Sequence, residues 1–403
     1  MQRRDFLKLI SSGIIINSLP NLRVLAADIK SNTKFILVIL RGGLDGLAMI
    51  PPYKDKNYER IRGELALPMP DEVGGVIDLD GFFGMHPVID SLLPMYKKKD
   101  LMFIHAVSTP YRSRSHFDVQ DVLENGTKSP MGAKDGWLNR LVQHSPGKNS
   151  YSGVALSKEL PLILSGKNHN ITTWYPEKSR KKRKNFAEEM MDLYNNDKLL
   201  GPLLSEAIRF NRMVEESLSK EDRMSGRNAN YSNETEKLLY SASNLLKAEK
   251  GPNIAVINVG GWDTHANQGV AGGVLANRMG QLATALSKIP DYMDNEWENT
   301  VFSVVTEFGR TVKPNGTRGT DHGTGSISLL GGGKVKGGSV YTKWPGLKEN
   351  LLYEERDLRA TIDMRSIFKS ILHYPMGISK SIIEKNIFPD SYEAGFIRNF
   401  FRK

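Results

Sequence analysis

Cysteine is absent from all 403 residues of the sequence. This absence excludes disulfide bonds, thiolate nucleophiles, cysteine-ligated zinc and iron–sulfur clusters. A metal in this protein would therefore be bound by histidine, aspartate, glutamate or hydroxyl side chains. Long hydrophobic runs are scarce as well, and the mean hydropathy of −0.38 argues against a multispan membrane protein. Internal repeats and a collagen-like glycine period are also missing.

The composition, with 39% hydrophobic and 25% charged residues, is that of an ordinary globular protein. A chain of this length can bury a substantial core without disulfides or a partner. Enzymes with α/β folds of this size often form one large domain, and we expect such a domain over residues 28–403.

The first 27 residues are predicted to be a twin-arginine signal peptide. Arg3 and Arg4 are followed by a short apolar stretch over residues 9–19 and by small residues that end at Ala27. About ten apolar residues are too few to span a bilayer, which indicates a cleaved signal rather than a stable membrane span. The sequence therefore predicts export by the twin-arginine machinery to the periplasm or the extracellular space. The alternative is the basic start of an amphipathic helix.

The formal net charge of +10 has one obvious concentration, six cations within residues 178–184. Such a run is typical either of an anion or nucleic-acid patch or of a solvated loop. No aromatic residue interleaves the run and no nucleic-acid-binding motif flanks it. We favour the solvated loop and expect no nucleic-acid partner.

Five apolar runs predict strands that are buried on both faces, which is typical of a parallel sheet. The runs cover residues 34–40, 101–107, 253–259, 301–306 and 326–330. One helical pattern begins at Ser115, and a second covers residues 274–286. A charged helical pattern over residues 185–250 predicts an insertion. The expected fold is a mostly parallel central α/β sheet sandwiched by helices.

Carboxylates and imidazoles follow these strands, where parallel sheets bind their ligands. A cysteine-free set of this kind suits a divalent metal, namely zinc, manganese, magnesium or calcium. The candidate metal ligands are Asp45, Asp263, His265, Glu307, Asp321 and His322. Five of them have a structural alternative. Asp45 could be a turn residue, Asp263 and His265 a helix cap with a nearby surface histidine, and Asp321 with His322 an ordinary loop pair. The histidines expected to be structural are His86, His105, His144, His169 and His373.

Five short segments together resemble an exported bacterial family known as domain of unknown function 1501. They are residues 41–46, 114–118, 261–265, 306–311 and 319–323, and their order and spacing match over nearly the whole chain after residue 34. The family is grouped with the alkaline phosphatase and sulfatase superfamily. The resemblance implies an alkaline-phosphatase-like α/β sandwich with a metal site at the strand ends, whereas the family's activity is not established.

Compared with the superfamily's pattern, this sequence keeps one metal position nearly complete and has a depleted second position. Asp263, His265 and His322 resemble a nearly complete ligand set. Asp45 resembles the aspartate of the first strand, but Glu307 and Phe308 stand where the superfamily has an Asp-His pair. Loss of that imidazole puts a two-zinc phosphatase mechanism in doubt, so we expect a single divalent metal.

The superfamily places its nucleophile after the second strand, near a helix N-terminus that stabilises an anion. Ser108, Ser113 and Ser115 are all eligible, and Ser115 also fits a helix N-cap. The residues expected to assist are His116 or Asp118 as proton acceptor or orienting group, with the candidate anion clamps Arg112, Arg114 and Arg310.

Two classes of function follow from these residues. The first is an exported metal-dependent hydrolase of a phosphate or sulfate ester, acting on a small anionic ester or a carbohydrate-type ligand. The second is a non-catalytic exported binding protein that retains a partial metal or anion site. An isomerase or phosphotransferase on the same fold is a lesser third. Phe308 favours either binding or single-metal chemistry.

Overall fold

The computed structural model describes residues 32–144, 153–168, 170–176, 186–194, 196–197, 200–218 and 231–402. The predicted signal peptide, the basic run at 178–184 and His169 lie outside the described residues. Among the helices described, none is both long enough and apolar enough to cross a membrane.

The centre of the fold is a nine-stranded sheet that is parallel except at one strand. The described strands are β1 (Lys34–Leu40), β2 (Ile77–Asp78), β3 (Gly84–Met85), β4 (Leu101–Ser108), β5 (Gly153–Ala155), β6 (Ile171–Thr173), β7 (Ile254–Val259), β8 (Thr300–Thr306), β9 (Ser326–Gly331), β10 (Val340–Tyr341) and β11 (Ile362–Asp363). The order in the sheet is β10-β4-β9-β8-β1-β7-β5-β6, with β11 paired to β4, while β2 and β3 form a separate hairpin. Only β9 runs antiparallel to its neighbours, β4 and β8. The prediction of a mostly parallel central sheet is confirmed.

Strand β1 lies inside the sheet, between β7 and β8, and all seven of its residues are buried. Its side chains alternate between two cores, because successive residues of a strand point to opposite faces. Ile36, Val38 and Leu40 belong to one core, and Phe35, Leu37 and Ile39 belong to the other. The continuous apolar run in the sequence is therefore the consequence of burial on both faces.

Helices cover both faces of this sheet. They are α1 (Gly46–Met49), α2 (Tyr58–Arg62), α3 (Leu93–Lys97), α4 (His116–Asn125), α5 (Trp137–Gln143), α6 (Phe186–Tyr194), α7 (Leu200–Ser217), α8 (Glu234–Lys247), α9 (Val274–Ser287), α10 (Ile289–Met293), α11 (Met364–His373) and α12 (Lys380–Ile382). Residues of α8 and α9 pack with Ile36 on one face, and residues of α5 and α11 pack with Phe35 on the other. In the segment predicted to be an insertion, Phe210 of α7 and Leu239 of α8 are buried in the first of these cores.

His105 of β4 is one of the histidines expected to be structural, and its ring is fully buried. Its Nδ1 accepts a hydrogen bond from the Ala106 N–H at 2.8 Å, and its Nε2 lies 3.0 Å from the carbonyl oxygen of Ile50. These partners require a neutral ring with its proton on Nε2, because a protonated Nδ1 could not accept. Burial lowers the pKa of His105 to about 4.

We expect His105 to make the protein less stable in mild acid. Below a pH of about 6.5 the unfolded chain binds a proton at His105 that the folded chain does not bind. The free energy of unfolding should therefore fall as the pH drops from about 6.5 to about 4, by roughly 3 kcal/mol in total. Urea titrations across this range should show that component in the wild type and not in His105→Gln. Parallel pH profiles of the two proteins would contradict the assignment.

Candidate metal centre

Four loops meet at the carboxyl edge of the sheet. Asp263 follows β7, Glu307 follows β8, His116 begins α4, and His322 lies in the loop before β9. The turn after β1 is pressed against the Asp263 backbone, and a Cβ atom at Gly42 would lie 2.5 Å from the Asp263 nitrogen. Since β1, β7 and β8 are adjacent and parallel, their loops emerge side by side and bring these side chains together.

Three imidazole nitrogens surround the carboxylate of Asp263. The Nε2 atoms of His265 and His322 lie 3.0 and 3.1 Å from Asp263 Oδ1. The Nε2 atom of His116 lies 3.4 Å from Asp263 Oδ2. The sequence predicted three of these residues as metal ligands, whereas it assigned His116 to proton transfer or orientation.

The opposite nitrogen of each ring faces an oxygen atom that can only accept. His116 Nδ1 lies 2.8 Å from Glu307 Oε1, and His322 Nδ1 lies 2.9 Å from the carbonyl oxygen of Arg114. His265 Nδ1 lies 3.2 Å from Asp321 Oδ1. In a neutral ring that donates from Nδ1 to this partner, Nε2 has a free lone pair directed toward Asp263.

In that tautomer the Nε2 atoms and the Asp263 carboxylate are all hydrogen-bond acceptors. His265 Nε2 and His322 Nε2 are only 3.0 Å apart, and both face the ionised Asp263. With both rings protonated on Nδ1, these lone pairs repel one another, and either a proton or a metal ion between them removes the repulsion. One ligand atom from each of His116, Asp263 and His322 lies within 4.8 Å of the others. Imidazole with carboxylate is a donor set that suits a borderline divalent metal, so the residues present fit a metal ion.

The charge states suit the same chemistry. Burial raises the pKa of Asp263, but the Arg310 guanidinium outweighs it, so the pKa of this carboxyl lies below its ordinary value. Burial lowers the pKa of His322, which favours the neutral ring that a metal needs. The hydrogen bond that His116 donates to the Glu307 carboxylate raises the pKa of His116, so a metal would have to displace a proton there in acid.

Glu307 is fully buried behind His116, and both of its oxygens are already occupied. Oε1 accepts from the Gly42 N–H at 2.8 Å, from Gln120 Nε2 at 2.9 Å and from His116, while Oε2 accepts from Thr306 Oγ1 at 3.1 Å. A carboxylate in this place fixes the orientation of a ligand histidine. Glu307, which was predicted to be a metal ligand, therefore contacts the side of His116 that faces away from Asp263.

Asp45 is also set back from the centre. Its Oδ2 accepts from Arg62 Nη2 and Gln268 Nε2, both at 2.7 Å, and its Oδ1 caps α1 through the Ala48 N–H. Gln268 Oε1 in turn accepts from the hydroxyl of Thr320 at 2.8 Å. Asp45 therefore supports the loops of the centre from a buried position.

Asp321 lies beside His265. Its Oδ1 faces His265 Nδ1 and accepts from Asn315 Nδ2 at 3.0 Å. The hydrogen bond from Asn315 lowers the pKa of Asp321, so the carboxylate stays ionised. This predicted metal ligand orients His265 in the structure.

The predicted nucleophile Ser115 is the N-cap of α4, and its Oγ accepts from the Asp118 N–H at 3.4 Å. Ser113 Oγ accepts from the Ser115 N–H at 3.2 Å. In the described part of the chain no hydrogen bond joins the Ser115 hydroxyl to His116 or to the Asp118 carboxylate. Ser108 is buried at the end of β4.

The predicted anion clamps are engaged by other groups. Arg114 pairs through Nε with Asp357 at 2.9 Å and through Nη2 with Glu354 at 2.7 Å. Arg310 is buried and pairs with Asp263 and Thr320. Arg112 donates to the carbonyl oxygen of Thr109. Arg114 contributes to the centre through its main-chain oxygen, which holds His322.

Phe308 packs between the imidazoles. Its ring centroid lies 4.7 Å from that of His116 and 5.0 Å from that of His322. A side chain at Gly43 would collide with this ring, with a Cβ atom only 2.6 Å from Phe308 Cε2. Phe308, which the resemblance aligned with a second-metal histidine, is therefore an apolar support beside His116 and His322.

The sequence placed His116 with His265 and His322 in the loops after the strands but assigned it to proton transfer or orientation, and it did not identify Phe308 as its packing partner. The available signal was position, because His116 is the first residue of a helix that follows a buried strand. Side chains of a first turn lean back toward the helix N-terminus, which here is the edge of the sheet.

A family model matches residues 98–387 of the sequence, which is more than half of the chain. The chain belongs to the family described as Protein of unknown function (DUF1501). Four of the five segments that carried the resemblance and all four residues around the candidate centre lie inside the matched part of this DUF1501 protein. No curated protein matches its sequence.

Three solved structures show limited similarity to this DUF1501 chain. The phosphonate monoester hydrolase of Agrobacterium radiobacter is 10% identical, with 85% of this chain and 73% of that chain covered and a TM-score of 0.37. A protein in the alkaline phosphatase superfamily from Vibrio parahaemolyticus is 11% identical, with 85% and 71% covered and a TM-score of 0.33. The C-terminal periplasmic domain of EcEptC from Escherichia coli, in complex with Zn, is 12% identical, with 78% and 77% covered and a TM-score of 0.32. TM-scores of this size are too low to carry the chemistry of those enzymes to this chain.

Proposed function

We propose that this protein is a hydrolase of phosphate or sulfate esters that depends on one divalent metal ion. The observation that carries the proposal is the convergence of three imidazole Nε2 atoms on Asp263, with every Nδ1 facing an oxygen acceptor. Three or four protein ligands of this kind are typical of metal centres in proteins, and catalytic centres keep one position open.

The ligands in this proposal are His116, His322 and Asp263, with His265 completing the set. A divalent cation held there would act as a Lewis acid on an ester oxygen. Glu307 and Asp321 keep His116 and His265 in the required tautomer, and Arg310 holds the Asp263 carboxylate in place. The metal could be zinc, manganese, magnesium or calcium, and histidine-rich ligation favours zinc or manganese over calcium.

We place the nucleophile at Ser115. The residue sits at the N-terminus of the ten-residue helix α4, immediately before the ligand His116. Backbone N–H groups and the helix dipole stabilise negative charge at such a position. In the proposed step Asp118 accepts the serine proton, the Ser115 oxygen bonds to phosphorus or sulfur, and the bond to the leaving oxygen breaks. The departing alkoxide takes a proton from Asp118 or from water, and a water molecule then hydrolyses the serine ester to release phosphate or sulfate and regenerate Ser115.

The Ser115→Ala protein tests this assignment. As a nucleophile, Ser115 should be required for turnover of p-nitrophenyl phosphate or p-nitrophenyl sulfate, with a loss of about 100-fold or more, while the metal content stays unchanged. Removal of the cap should also cost about 1 kcal/mol in the free energy of unfolding. The matched control is Ser113→Ala, which should retain turnover. Full activity in Ser115→Ala would show that this residue is only a helix cap.

The second candidate function is a binding protein without catalysis, and the arginines favour it. Arg114 and Arg310 are both paired with carboxylates, so neither guanidinium is free to clamp a transferring phosphoryl group. A metal-loaded protein that hydrolyses neither ester, yet binds inorganic phosphate or sulfate at the metal, would support this function and contradict the hydrolase.

Export remains a proposal that rests on Arg3 and Arg4 in the N-terminal segment. We expect replacement of both arginines with lysine to leave the precursor in the cytoplasm, because the twin-arginine route recognises the arginine pair. Cell fractionation with an antibody against the chain measures this distribution. Normal export of the double variant would remove the twin-arginine interpretation.

A further inference from the structure

A cleft of about 390 Å³ lies at the carboxyl ends of β5, β6 and β7. Its floor is apolar and includes Leu156 and Leu238, while its walls carry the polar side chains of Lys158, Tyr175, Asn258 and Arg278. Its volume lies in the range of small-molecule sites in proteins. No residue of the candidate metal centre lines it.

The cleft and the metal centre share one edge of the sheet. Strands β8, β1, β7, β5 and β6 are consecutive and parallel, so their carboxyl ends form a continuous row. The metal centre occupies the β8, β1 and β7 end of this row, and the cleft occupies the β7, β5 and β6 end. Gly260, which lines the cleft, precedes the ligand Asp263 by three residues. A ligand extended along this edge would reach both places.

Arg278 contributes a cation to the lining of the cleft. In the described residues it forms no ion pair, and its guanidinium lies against the Gly261 backbone, where an added Cβ atom would be 2.9 Å from Arg278 Cζ. This contrasts with Arg114 and Arg310, whose guanidinium groups are paired with carboxylates. Guanidinium binds sulfate, phosphate and carboxylate groups in a two-point geometry.

The other polar groups of the cleft include an amide, two cation- or ring-bearing side chains and one carboxylate. Asn258 Oδ1 accepts from Arg41 Nε at 3.0 Å, which leaves the amide nitrogen of Asn258 as a donor for a ligand. The Glu234 carboxylate accepts from the Tyr175 hydroxyl at 3.0 Å. The ammonium group of Lys158 lies 5.6 Å from the centre of the Tyr175 ring. The cleft thus combines an aromatic ring and apolar side chains with two cations and one carboxylate, so its lining carries one excess positive charge.

We propose that this cleft binds an acidic sugar unit. The C–H face of a pyranose would pack against Tyr175 and Leu238, and its anionic substituent would be bound by Arg278 and Lys158. If the proposed function holds, this unit is the part of the substrate next to the reacting ester, and the substrate class is an ester of an acidic carbohydrate. The role as a substrate subsite rests on the proposed function, but the binding itself does not.

The test is calorimetric titration of the full chain, after treatment with EDTA and in 150 mM salt, with three probes. D-glucose 6-sulfate and D-glucuronate carry an anionic substituent, and D-glucose is the neutral counterpart. We expect saturable binding of at least one anionic probe and binding of D-glucose at least 10-fold weaker. Arg278→Ala should weaken the anionic probe at least 10-fold, whereas Arg212→Ala, at an exposed arginine of α7, should not.

Equal binding of D-glucose and the anionic probes would overturn the proposal, as would unchanged affinity in Arg278→Ala. The preferred anionic probe identifies the substituent as sulfate or carboxylate. The same titration in His116→Ala separates this proposal from the metal proposal. If His116→Ala binds the probe but no metal, the cleft proposal is supported independently of the metal proposal. If the wild-type protein binds metal but none of the probes, the cleft proposal is refuted and the metal proposal is not.

Discussion

Replacement of His116 by alanine is expected to abolish binding of a divalent metal while leaving the fold intact. The variant loses one of the three Nε2 atoms that would bind the metal, and Asp263 loses its contact with His116. Because even loss of a group that orients a ligand weakens metal binding 10- to 100-fold, loss of the ligand itself should cost roughly 100-fold or more. Metal analysis after dialysis measures the occupancy, and circular dichroism measures the fold.

The matched control for His116 is His144→Ala, which removes a partly buried histidine at the end of α5, away from the centre. It should keep its full metal content. A His116→Ala protein with undiminished metal affinity would exclude the ligand role and return His116 to the proton-transfer role that the sequence suggested.

Replacement of Asp45 by alanine is expected to reduce stability strongly. The Arg62 guanidinium is fully buried and lies 2.7 Å from the Asp45 carboxylate, so removal of the carboxylate leaves a buried charge without its partner. Breaking a buried ion pair in this way costs about 3–5 kcal/mol. Gln268 Nε2 would lose its acceptor as well. Urea denaturation monitored by tryptophan fluorescence measures the loss.

Asp45→Asn separates the structural role from the ligand role that the sequence predicted. The amide keeps the shape of the side chain and one acceptor oxygen for Arg62, so this variant should fold with an intermediate stability. Because Asp45 lies behind the centre, the variant should also retain the metal. An Asp45→Asn protein of wild-type stability that binds no metal would show that Asp45 is a ligand.

The sequence predicted the main strands because their residues are buried on both faces. The apolar run 34–40 coincides with β1, and the runs at 101–107 and 326–330 differ from β4 and β9 by one residue each. The strands β5, β6, β10 and β11 contain only two or three residues. Segments this short carry no hydrophobic periodicity, so they could not be predicted from pattern alone.

The position of the site could be predicted, but the role of each residue within it could not. The rule that ligands bind beyond the carboxyl ends of parallel strands selected Asp263, His265 and His322. It also selected Glu307, which has the same chemistry but is turned toward Gly42 and Gln120. These partners lie 265 and 187 residues away in the chain, and such contacts leave no trace in local sequence.

Anomalous diffraction from metal-loaded crystals, recorded at the absorption edge of the bound metal, directly tests whether His116, His322 and Asp263 bind one metal ion. We expect one strong peak per chain, within about 2.3 Å of His116 Nε2, His322 Nε2 and an oxygen of Asp263. A peak coordinated by Asp45 and Glu307 instead, or no peak at the carboxyl edge of the sheet in protein loaded with each candidate metal, would contradict it.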